Sequence, residues 1–441
     1  MTSTMPGVVF WFRNDLRLHD QPALHLAIQQ ARQAGTWLLP VFVHDPAQQR
    51  PTVWGFERTS PHRRAWLSSA LNDLSEQLNA LGSRLLQCSG DPVTVLSALI
   101  RDLGNPTLVC EDIAAPEEQA TVQGLLQAGV NVQTVWQSTL LEPNSLPFHP
   151  DQVPDTFTVF RQSIERAGVQ AAGPLAAPHH MPPLPSSHAT CFWQTAAEPA
   201  LTQSTHRDAR SSLPDGFAAF AGGERAALAH LQGYCQRRLP HSYKTTRNGL
   251  MGADYSSKWS PWLATGALSP RQAWAAIQAF EAEHGANDGT YWLWFELLWR
   301  DHFRLLHRKH GPRLYHSGGL TRQPPPPHNP LAFSNWCAGQ TGHPFIDAGM
   351  RELAATGYLS NRLRQNVASY LIHDLGCDWR AGAAWFESQL LDYDVYSNQG
   401  NWLYLSGRGT DPRGSRRFNP DKQARDYDPQ SAYQKLWDTS A

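Results

Sequence analysis

The sequence predicts an α/β N-terminal domain with a parallel, doubly wound sheet, joined by a long linker to an all-α C-terminal domain. Short β-branched runs alternate with helical stretches over about residues 7–140, which is typical of a parallel sheet. Periodicity then disappears in a segment dominated by Pro, Ala, Ser, His and Thr. After this segment the pattern is helical almost to the end. The predicted boundaries are 1–140 for the first domain, 141–222 for the linker and 223–441 for the helical domain.

The elements of the N-terminal domain follow one another in regular alternation. Val8–Phe12 opens it as a strand, and a helix is expected to begin near Pro22, with Asp20 as its candidate N-cap. The later predicted strands are Trp37–Val43, Ser83–Cys88, Thr107–Cys110 and Val130–Trp136, and the helices are Arg63–Leu81, Val93–Leu103 and Glu117–Ala128. No Gly-x-Gly-x-x-Gly follows the first strand, so a dinucleotide site of the usual kind is not indicated here.

Charge and cysteine usage exclude several classes of protein. The net charge of −1 argues against coating nucleic acid through bulk charge, although it leaves room for a local basic groove. Arginine outnumbers lysine 32 to 5, which suits phosphate recognition, and a compositional bias explains it equally well. The six cysteines form no Cys-x-x-Cys, so neither disulfides nor a metal site is expected. Without a signal segment or an apolar run of about 20 residues, the sequence predicts a cytoplasmic protein with no membrane partner.

Hydroxyl groups and one cation gather before a predicted helix in the segment 255–261, Tyr-Ser-Ser-Lys-Trp-Ser-Pro. Ser260 is the candidate N-cap and Pro261 fits the first helical position. Such a helix start suits a phosphate or pyrophosphate. Taken alone, the segment is explained better by a plain capped helix.

Two further segments carry polar groups among aromatic residues. In 292–301, Trp292, Phe295, Glu296 and Trp299 share one helical face, which would raise the pKa of Glu296 and offer a stacking platform for flat bases. An amphipathic core helix with Glu296 paired to Arg300 is an equal alternative. The segments 361–366 and 392–402 combine carboxylates, amides and arginines, and they indicate either a polar ligand cage or a cluster of Asx turns.

Taken together, these segments resemble the photolyase/cryptochrome family, most closely its cryptochrome DASH branch. The resemblance covers nearly the whole chain, and it rests on the blocks 11–17, 243–249, 252–258, 296–301, 361–369 and 426–429. It implies a C-terminal domain that binds U-shaped FAD.

The resemblance also implies the residues around the cofactor. The phosphate and ribityl contacts would come from Tyr243, Ser256, Ser257, Lys258, Trp259 and Ser260. Glu296 and Arg300 would line the pocket, and the cage around the rings would comprise Asn361, Arg364, Asp392 and Asp394. Arg364 and Asp392 would form a buried ion pair, and the amide of Asn398 would face flavin N5.

The implied activity is light-driven repair of cyclobutane pyrimidine dimers by electron transfer from reduced flavin. Glu296 would hydrogen-bond the dimer, and Trp299 would stack on it. Gln365 and Tyr404 stand where duplex photolyases carry Met and Trp, so the implied substrate is mainly single-stranded DNA. Arg247, Lys258, Arg416 and Arg417 are candidate phosphate contacts, although each is more often a solvated charge.

Two departures from the family pattern affect electron entry and light harvesting. Trp402 and Trp379 match the first two tryptophans of the family's electron path, but the third position falls near Pro326. The electron exit is therefore predicted to be rerouted or impaired. The segments Glu111-Asp112 and Glu117-Glu118 loosely match a region that contacts a methenyltetrahydrofolate antenna, so folate, another antenna or none remain open.

Other functions stay open at this point. A blue-light photoreceptor that signals through a partner would repair little, and a light-independent DNA or RNA binder would use the same groove without photochemistry. The repair enzyme is favoured because the sequence keeps the family residues Glu296, Trp299 and Asn398. The chain is expected to act as a monomer.

Overall fold

The N-terminal domain is a five-stranded parallel sheet with helices between the strands, as predicted. The structure is a computed structural model that describes residues 7–186, 208–213 and 221–438. The strand order is β3-β2-β1-β4-β5, with β1 completely buried at the centre. The strands are β1 Val8–Phe12, β2 Leu38–His44, β3 Leu86–Ser89, β4 Thr107–Glu111 and β5 Val132–Val135, and the helices are α1 Pro22–Gln33, α2 Pro61–Ala80, α3 Pro92–Asp102 and α4 Pro116–Gln127.

The predicted N-cap of α1 is wrong by one residue. Gln21 occupies the cap position and its side chain makes no capping bond. Asp20 is fully buried with a left-handed backbone (φ 48°), and its carboxylate accepts from Arg271 Nε at 2.9 Å and from the hydroxyl of Ser269. The side chain therefore ties the first domain to the helical domain instead of capping its own helix.

The segment between the domains contains one helix and a stretch that follows the sheet. Helix α5, Phe157–Ala167, lies inside the range predicted as linker. Beyond it, the backbone carbonyls of Leu175 and Pro183 accept from Asp20 N at 2.8 Å and Leu38 N at 3.0 Å, so this stretch runs along the N-terminal domain. The remainder of the predicted linker, 187–207 and 214–220, lies outside the described residues.

The C-terminal domain is helical throughout its described part, as predicted. Its helices are α6 Glu224–Gln236, α7 Tyr243–Thr246, α8 Ser260–Thr265, α9 Pro270–His284, α10 Asp288–His310, α11 Pro330–Cys337, α12 Pro344–Thr356, α13 Asn361–His373, α14 Trp379–Gln389, α15 Val395–Ser406, α16 Pro420–Tyr427 and α17 Ala432–Leu436. The proline-rich stretch 323–328 is neither helix nor strand. Within the described residues, no helix is long and apolar enough to cross a membrane.

Helix α10 carries the aromatic segment and runs against the first domain. Asn287 caps it by accepting from Gly289 N and Thr290 N in a capping box. Farther along, the buried carboxylate of Asp301 accepts from Leu140 N and Leu141 N at 2.8 and 2.9 Å. These bonds fix the rotation of α10 and thereby the direction of the side chains on its other faces.

Candidate functional site

A polar cavity of about 90 Å³ opens between α13, α14 and α15. Ser360 caps α13 by accepting from Leu363 N, and Asp394 caps α15 by accepting from Ser397 N at 2.8 Å. These caps set the helix starts, so side chains three and four residues apart meet on one wall. The predicted site residues on the walls are Asn361, Arg364, Gln365, Asp392, Asp394, Asn398 and Trp402.

An incompletely satisfied ion pair lies on the cavity wall. Arg364 Nη2 donates to Asp392 Oδ2 at 2.9 Å, and Arg364 Nε donates to the carbonyl of Leu359 at 2.8 Å. The other carboxylate oxygen, Asp392 Oδ1, is buried and has no hydrogen-bond partner among the described residues. Since such an atom is costly to bury unpaired, the wall is suited to a ligand that presents an N–H or O–H group.

Asp394 is committed to a second ion pair beside the first. Arg304 Nη2 donates to Asp394 Oδ2 at 2.5 Å. Burial would raise the pKa of Asp394, but the charges of Arg304 and Arg300 outweigh it and hold the pKa at about 2. The carboxylate therefore stays ionised and rigid.

The segment 256–260 lies outside this cavity and supplies a buried cation. Lys258 is 2% exposed, and its ammonium lies 3.3 Å from the Tyr255 ring centroid and donates to the hydroxyl of Tyr358 at 3.3 Å. Within the described part of the chain, no carboxylate lies within 4.0 Å of it. Burial lowers the pKa of Lys258 well below its ordinary value. An anionic ligand would supply the missing counter-charge.

The expected helix start is displaced by one residue. Trp259, not Ser260, is the N-cap of α8. Its backbone angles are already helical, and the left-handed turn that leads into the helix, with φ 56°, falls on Lys258. Ser260 is the first helical residue, and Trp259 Nε1 is buried without a partner among the described residues. Helix α8 has only six residues, so the dipole argument from the sequence contributes little, and the Lys258 charge is the stronger anion signal.

Tyr358 connects the two parts of the site and was missed in the sequence. Its ring centroid lies 4.7 Å from the Lys258 ammonium and 5.6 Å from the Arg364 guanidinium carbon. Of the two neighbouring serines, Ser257 accepts at its backbone carbonyl from His230 Nε2 at 2.7 Å. The predicted contact Tyr243 is buried in the same hydrophobic core cluster as Trp259. An elongated ligand could reach from the Lys258 cation to the polar cavity around Tyr358.

Buried Glu352 lies behind the cation and also escaped sequence reasoning. Tyr433 donates its hydroxyl to Glu352 Oε2 at 2.5 Å. Burial raises the pKa of Glu352 to about 7, against the opposing effects of Tyr433 and the Lys258 charge. No local sequence pattern marks either residue, because their proximity depends on how α12 and α17 pack.

On α10, Glu296 and Arg300 have different partners from those expected. Glu296 pairs with Arg247, so the alternative of a pair with Arg300 is not formed. Arg300 donates to the carbonyls of Leu263, at 3.2 Å, and Ser138, and it does not line the polar cavity. Burial, together with Arg304, lowers the pKa of Arg300 to about 9.

Trp299 forms one wall of a separate aromatic cleft. It stacks on Phe157 with centroids 3.8 Å apart and meets Tyr404 edge-on at 6.3 Å. A cavity of about 70 Å³ adjoins these rings between α10, α15 and the loop 409–413. The Arg416 guanidinium lies 5.2 Å from the Tyr404 ring and donates to Asp411 at 2.8 Å. Arg417 donates to Asp374 at 2.6 Å, on the surface.

A third cavity, of about 680 Å³, separates the sheet from the helical domain. Its lining includes Trp11, Arg13, Glu117, Glu118 and Tyr393, so it contains one of the two segments expected at an antenna. Glu117 pairs with Arg58 at 2.7 Å. In the other segment, Glu111 is buried and does not line this cavity.

Comparisons with known proteins agree with this architecture. Residues 8–183 match the family profile described as DNA photolyase, and residues 292–438 match that of the FAD binding domain of DNA photolyase. Two proteins named Cryptochrome DASH are each 43% identical: that of Synechocystis sp., over 99% of this chain and 88% of the relative, and that of Xenopus laevis, over 98% and 82%.

Solved structures give the same result. The crystal structure of a Synechocystis cryptochrome superposes with a TM-score of 0.89 at 41% identity, covering 99% of this chain and 89% of the other. A bacterial class III photolyase from Agrobacterium tumefaciens gives 0.77 at 28% identity, covering 99% and 87%.

Proposed function

The chain belongs to the photolyase/cryptochrome family, in its cryptochrome DASH branch, and on that premise we propose that it repairs cyclobutane pyrimidine dimers in light, preferentially in single-stranded DNA. Its cofactor is FAD. The observation that carries the proposal is the cleft in which Trp299 meets Tyr404 edge-on, with Glu296 three residues away on the same face of α10.

The residues present fit FAD. Asp392 Oδ1 offers a buried acceptor without a partner to the N–H groups of a flavin or adenine ring, and the buried Lys258 ammonium offers the charge that a pyrophosphate needs. Trp259 Nε1 is a further buried donor without a partner among the described residues. We assign these residues, with Asn361, Arg364, Asp394 and Asn398, to holding and orienting FAD, and Tyr243, Ser256, Ser257 and Ser260 to supporting its phosphate side.

When bound, reduced FAD supplies the light-driven electron that opens the cyclobutane ring. The protein's task is to place the dimer and to exclude water. Trp299 and Tyr404 provide apolar ring surfaces for the dimer, since stacking on aromatic side chains contributes roughly 1–3 kcal/mol per base. We assign to Glu296, whose side chain is 35% exposed, the role of accepting the imide N–H of a pyrimidine.

Arg247 couples lesion binding to the DNA backbone. In the structure it pairs with Glu296, and its guanidinium carbon lies 5.2 Å from the Trp292 ring. A DNA phosphate can replace Glu296 as the partner of the Arg247 guanidinium. Glu296 is then free to accept a hydrogen bond from the dimer. We assign Arg416 and Arg417, which donate to Asp411 and Asp374, as further phosphate contacts.

We attribute the preference for single strands to two side chains on different walls of the site. Tyr404 in the aromatic cleft and Gln365 on the wall of the polar cavity make the site more polar than Trp and Met would. Extruding a dimer from a duplex costs a few kcal/mol of unstacking, and a less adhesive cleft recovers less of that cost. In single strands the cost is small, so repair proceeds there.

The interdomain cavity is the site we assign to a folate antenna. Its volume of about 680 Å³, the flat Trp11 ring and the Glu117 and Glu118 carboxylates suit a pterin ring with amino groups. Methenyltetrahydrofolate bound there would leave a near-ultraviolet absorption band in the purified protein, and a protein lacking that band after folate addition would contradict the assignment.

The test of the proposed function is illumination of reduced protein with dimer-containing oligonucleotides. We expect repair of the single-stranded substrate and much slower repair of the duplex. Repair of neither substrate would favour a photoreceptor, and equal repair of both would contradict the strand preference. Binding of DNA with no light dependence would favour a plain nucleic-acid binder.

A further inference from the structure

A continuous series of aromatic rings leads from the polar cavity to the protein surface. The ring centroid of Trp402, on the cavity wall, lies 5.1 Å from that of Phe386, and Phe386 stacks with Trp336 at 6.2 Å. Trp336 stacks in turn with Phe333 at 6.0 Å, and Phe333 lies 6.4 Å from Trp54. The series therefore crosses from α15 through α14 and α11 to a loop of the N-terminal domain.

The path expected from the sequence lacks ring contacts at its second member, Trp379, within the residues that the structure describes. Trp379 is 1% exposed, and its indole nitrogen donates to the carbonyl of Ser317 at 3.1 Å. Among the described residues, no other ring stacks on Trp379 or meets its edge. The position of a third tryptophan is taken by the prolines 324–327. The ring contacts that begin at Trp402 therefore do not pass through Trp379 in the described part of the chain.

We propose that Trp54, Trp336 and Trp402 form the path by which electrons enter this protein from solution and reach the cofactor, with Phe333 and Phe386 as bridges between them. The proposal rests on FAD binding and not on repair. In light, one electron leaves Trp402 for the bound oxidised cofactor, Trp336 replaces it, and Trp54 replaces the electron of Trp336. Oxidised Trp54 releases its indole proton to water. A thiol in solution then returns one electron and one proton and is itself oxidised.

Hydration sets the direction of this transfer. Trp402 and Trp336 are 1% and 0% exposed, so positive charge on either is poorly solvated. Trp54 is half-buried in a loop where its neighbour Val53 is 94% exposed, so water can stabilise charge there. Phenylalanine is too difficult to oxidise to hold the charge, which is why Phe386 and Phe333 act only as bridges.

Trp385 is the competing end of the path. It lies 5.0 Å from Phe56, which lies 6.2 Å from Phe333, so reaching it requires one more bridge than reaching Trp54. The Trp385 indole nitrogen is buried and has no partner among the described residues. Oxidised Trp385 therefore cannot pass its proton to water, and Trp385→Phe is the matched control for Trp54→Phe.

Flash photolysis of oxidised, FAD-loaded protein tests the proposal through the optical and paramagnetic signals of the tryptophan radical. We expect Trp54→Phe and Trp336→Phe to lose the long-lived radical, and Trp379→Phe and Trp385→Phe to retain it. Survival of the radical in Trp54→Phe, or its loss in Trp379→Phe, would overturn the proposal. Because Trp54 is half-buried, its variant remains decisive even if the core variant Trp336→Phe fails to fold.

A second measurement locates the end of the path chemically. Protein illuminated in air without thiol should accumulate oxidised Trp54, seen by peptide mass spectrometry against a dark sample. Oxidation at Trp385 alone, or at neither residue, would contradict the assignment. Repair is measured separately on chemically reduced protein, so loss of repair with a normal Trp54 radical would count against the proposed function only.

Discussion

Arg364 and Asp392 form an ion pair of 2.9 Å that satisfies only one oxygen of the Asp392 carboxylate. The second oxygen is buried in the cavity wall without a partner in the described part of the chain. In the proposed assignment, one carboxylate oxygen holds Arg364 and the other is the acceptor offered to FAD. This double role makes Asp392 the most informative position for mutation.

Asp392→Asn should lose FAD and stability together. Removing one charge of a buried pair leaves Arg364 uncompensated, and we expect the free energy of unfolding to fall by about 3 kcal/mol. Denaturant unfolding and flavin absorbance after gel filtration measure the two effects. The control is Asp374→Asn, whose partner Arg417 is 66% exposed, with an expected cost below about 1 kcal/mol. Wild-type FAD content in Asp392→Asn would remove this residue from the cage.

Lys258→Met should affect the apoprotein and the holoprotein in opposite directions. The variant removes a buried cation that lacks a nearby carboxylate among the described residues, so the apoprotein should become more stable. It also removes the charge assigned to the pyrophosphate, so added FAD should raise the melting temperature less than in the wild type. Lys244→Met is the control, because Lys244 is 42% exposed and pairs with Asp288 on the surface. Equal FAD stabilisation in Lys258→Met and wild type would exclude Lys258 from the phosphate site.

Glu296→Gln should reduce repair and leave FAD bound. Loss of a charge-assisted hydrogen bond to the dimer corresponds to about tenfold or more in rate. FAD should remain because Glu296 does not line the polar cavity. Repair rates and flavin absorbance of the same preparation measure both. Loss of FAD from this variant would instead assign Glu296 a structural role.

Arg247→Gln tests DNA binding separately from the repair of the dimer. If Arg247 exchanges Glu296 for a DNA phosphate, its removal should weaken binding to all sequences alike and lower the salt dependence by about one charge. Binding titrations at several salt concentrations give the slope, and an unchanged slope would contradict the exchange.

The sequence was sufficient for the fold because its signals are local. Alternation of buried strands with capped helices depends on neighbouring residues, and the predicted strands and helices of the first domain agree with the structure to within a few residues. The shared face of Asn361, Arg364 and Gln365 follows from helical periodicity in the same way.

The remaining features depend on contacts between distant segments, which single-sequence patterns do not carry. Tyr358 joins Lys258 to Arg364 through the packing of three separate segments, and Glu296 pairs with Arg247, 49 residues away. Asp20 has the sequence context of a helix cap, yet its carboxylate is used by Arg271 across the domain boundary. The route of aromatic rings to Trp54 likewise exists only in three dimensions.

Glu352→Gln should raise stability at neutral and alkaline pH but not at acid pH. Burial raises the folded pKa of Glu352 to about 7, above its ordinary value of 4.5. The stability that this group contributes is therefore fully present below pH 4.5 and is lost as the pH rises through 7. The variant does not ionise, so its advantage should grow over this window to about 3 kcal/mol. Denaturant unfolding at several pH values measures the difference in unfolding free energy between the variant and the wild type. The control is Glu283→Gln, at an exposed glutamate. A difference that does not change with pH would contradict the prediction.

Tyr404→Trp should shift repair toward duplex DNA. Tyr404 meets Trp299 edge-on at 6.3 Å, beside a cavity of about 70 Å³ that gives a larger ring room to turn toward the dimer. A better stacking surface recovers part of the unstacking cost, on a scale of roughly 1–3 kcal/mol per base, and this cost is large only in duplexes. The ratio of duplex to single-strand repair should therefore rise by about tenfold, whereas single-strand repair should change little. Tyr404→Phe is the control that removes the hydroxyl and keeps the ring size, so the ratio should rise less in it than in Tyr404→Trp. An unchanged ratio in Tyr404→Trp would show that the strand preference does not originate at this wall of the cleft.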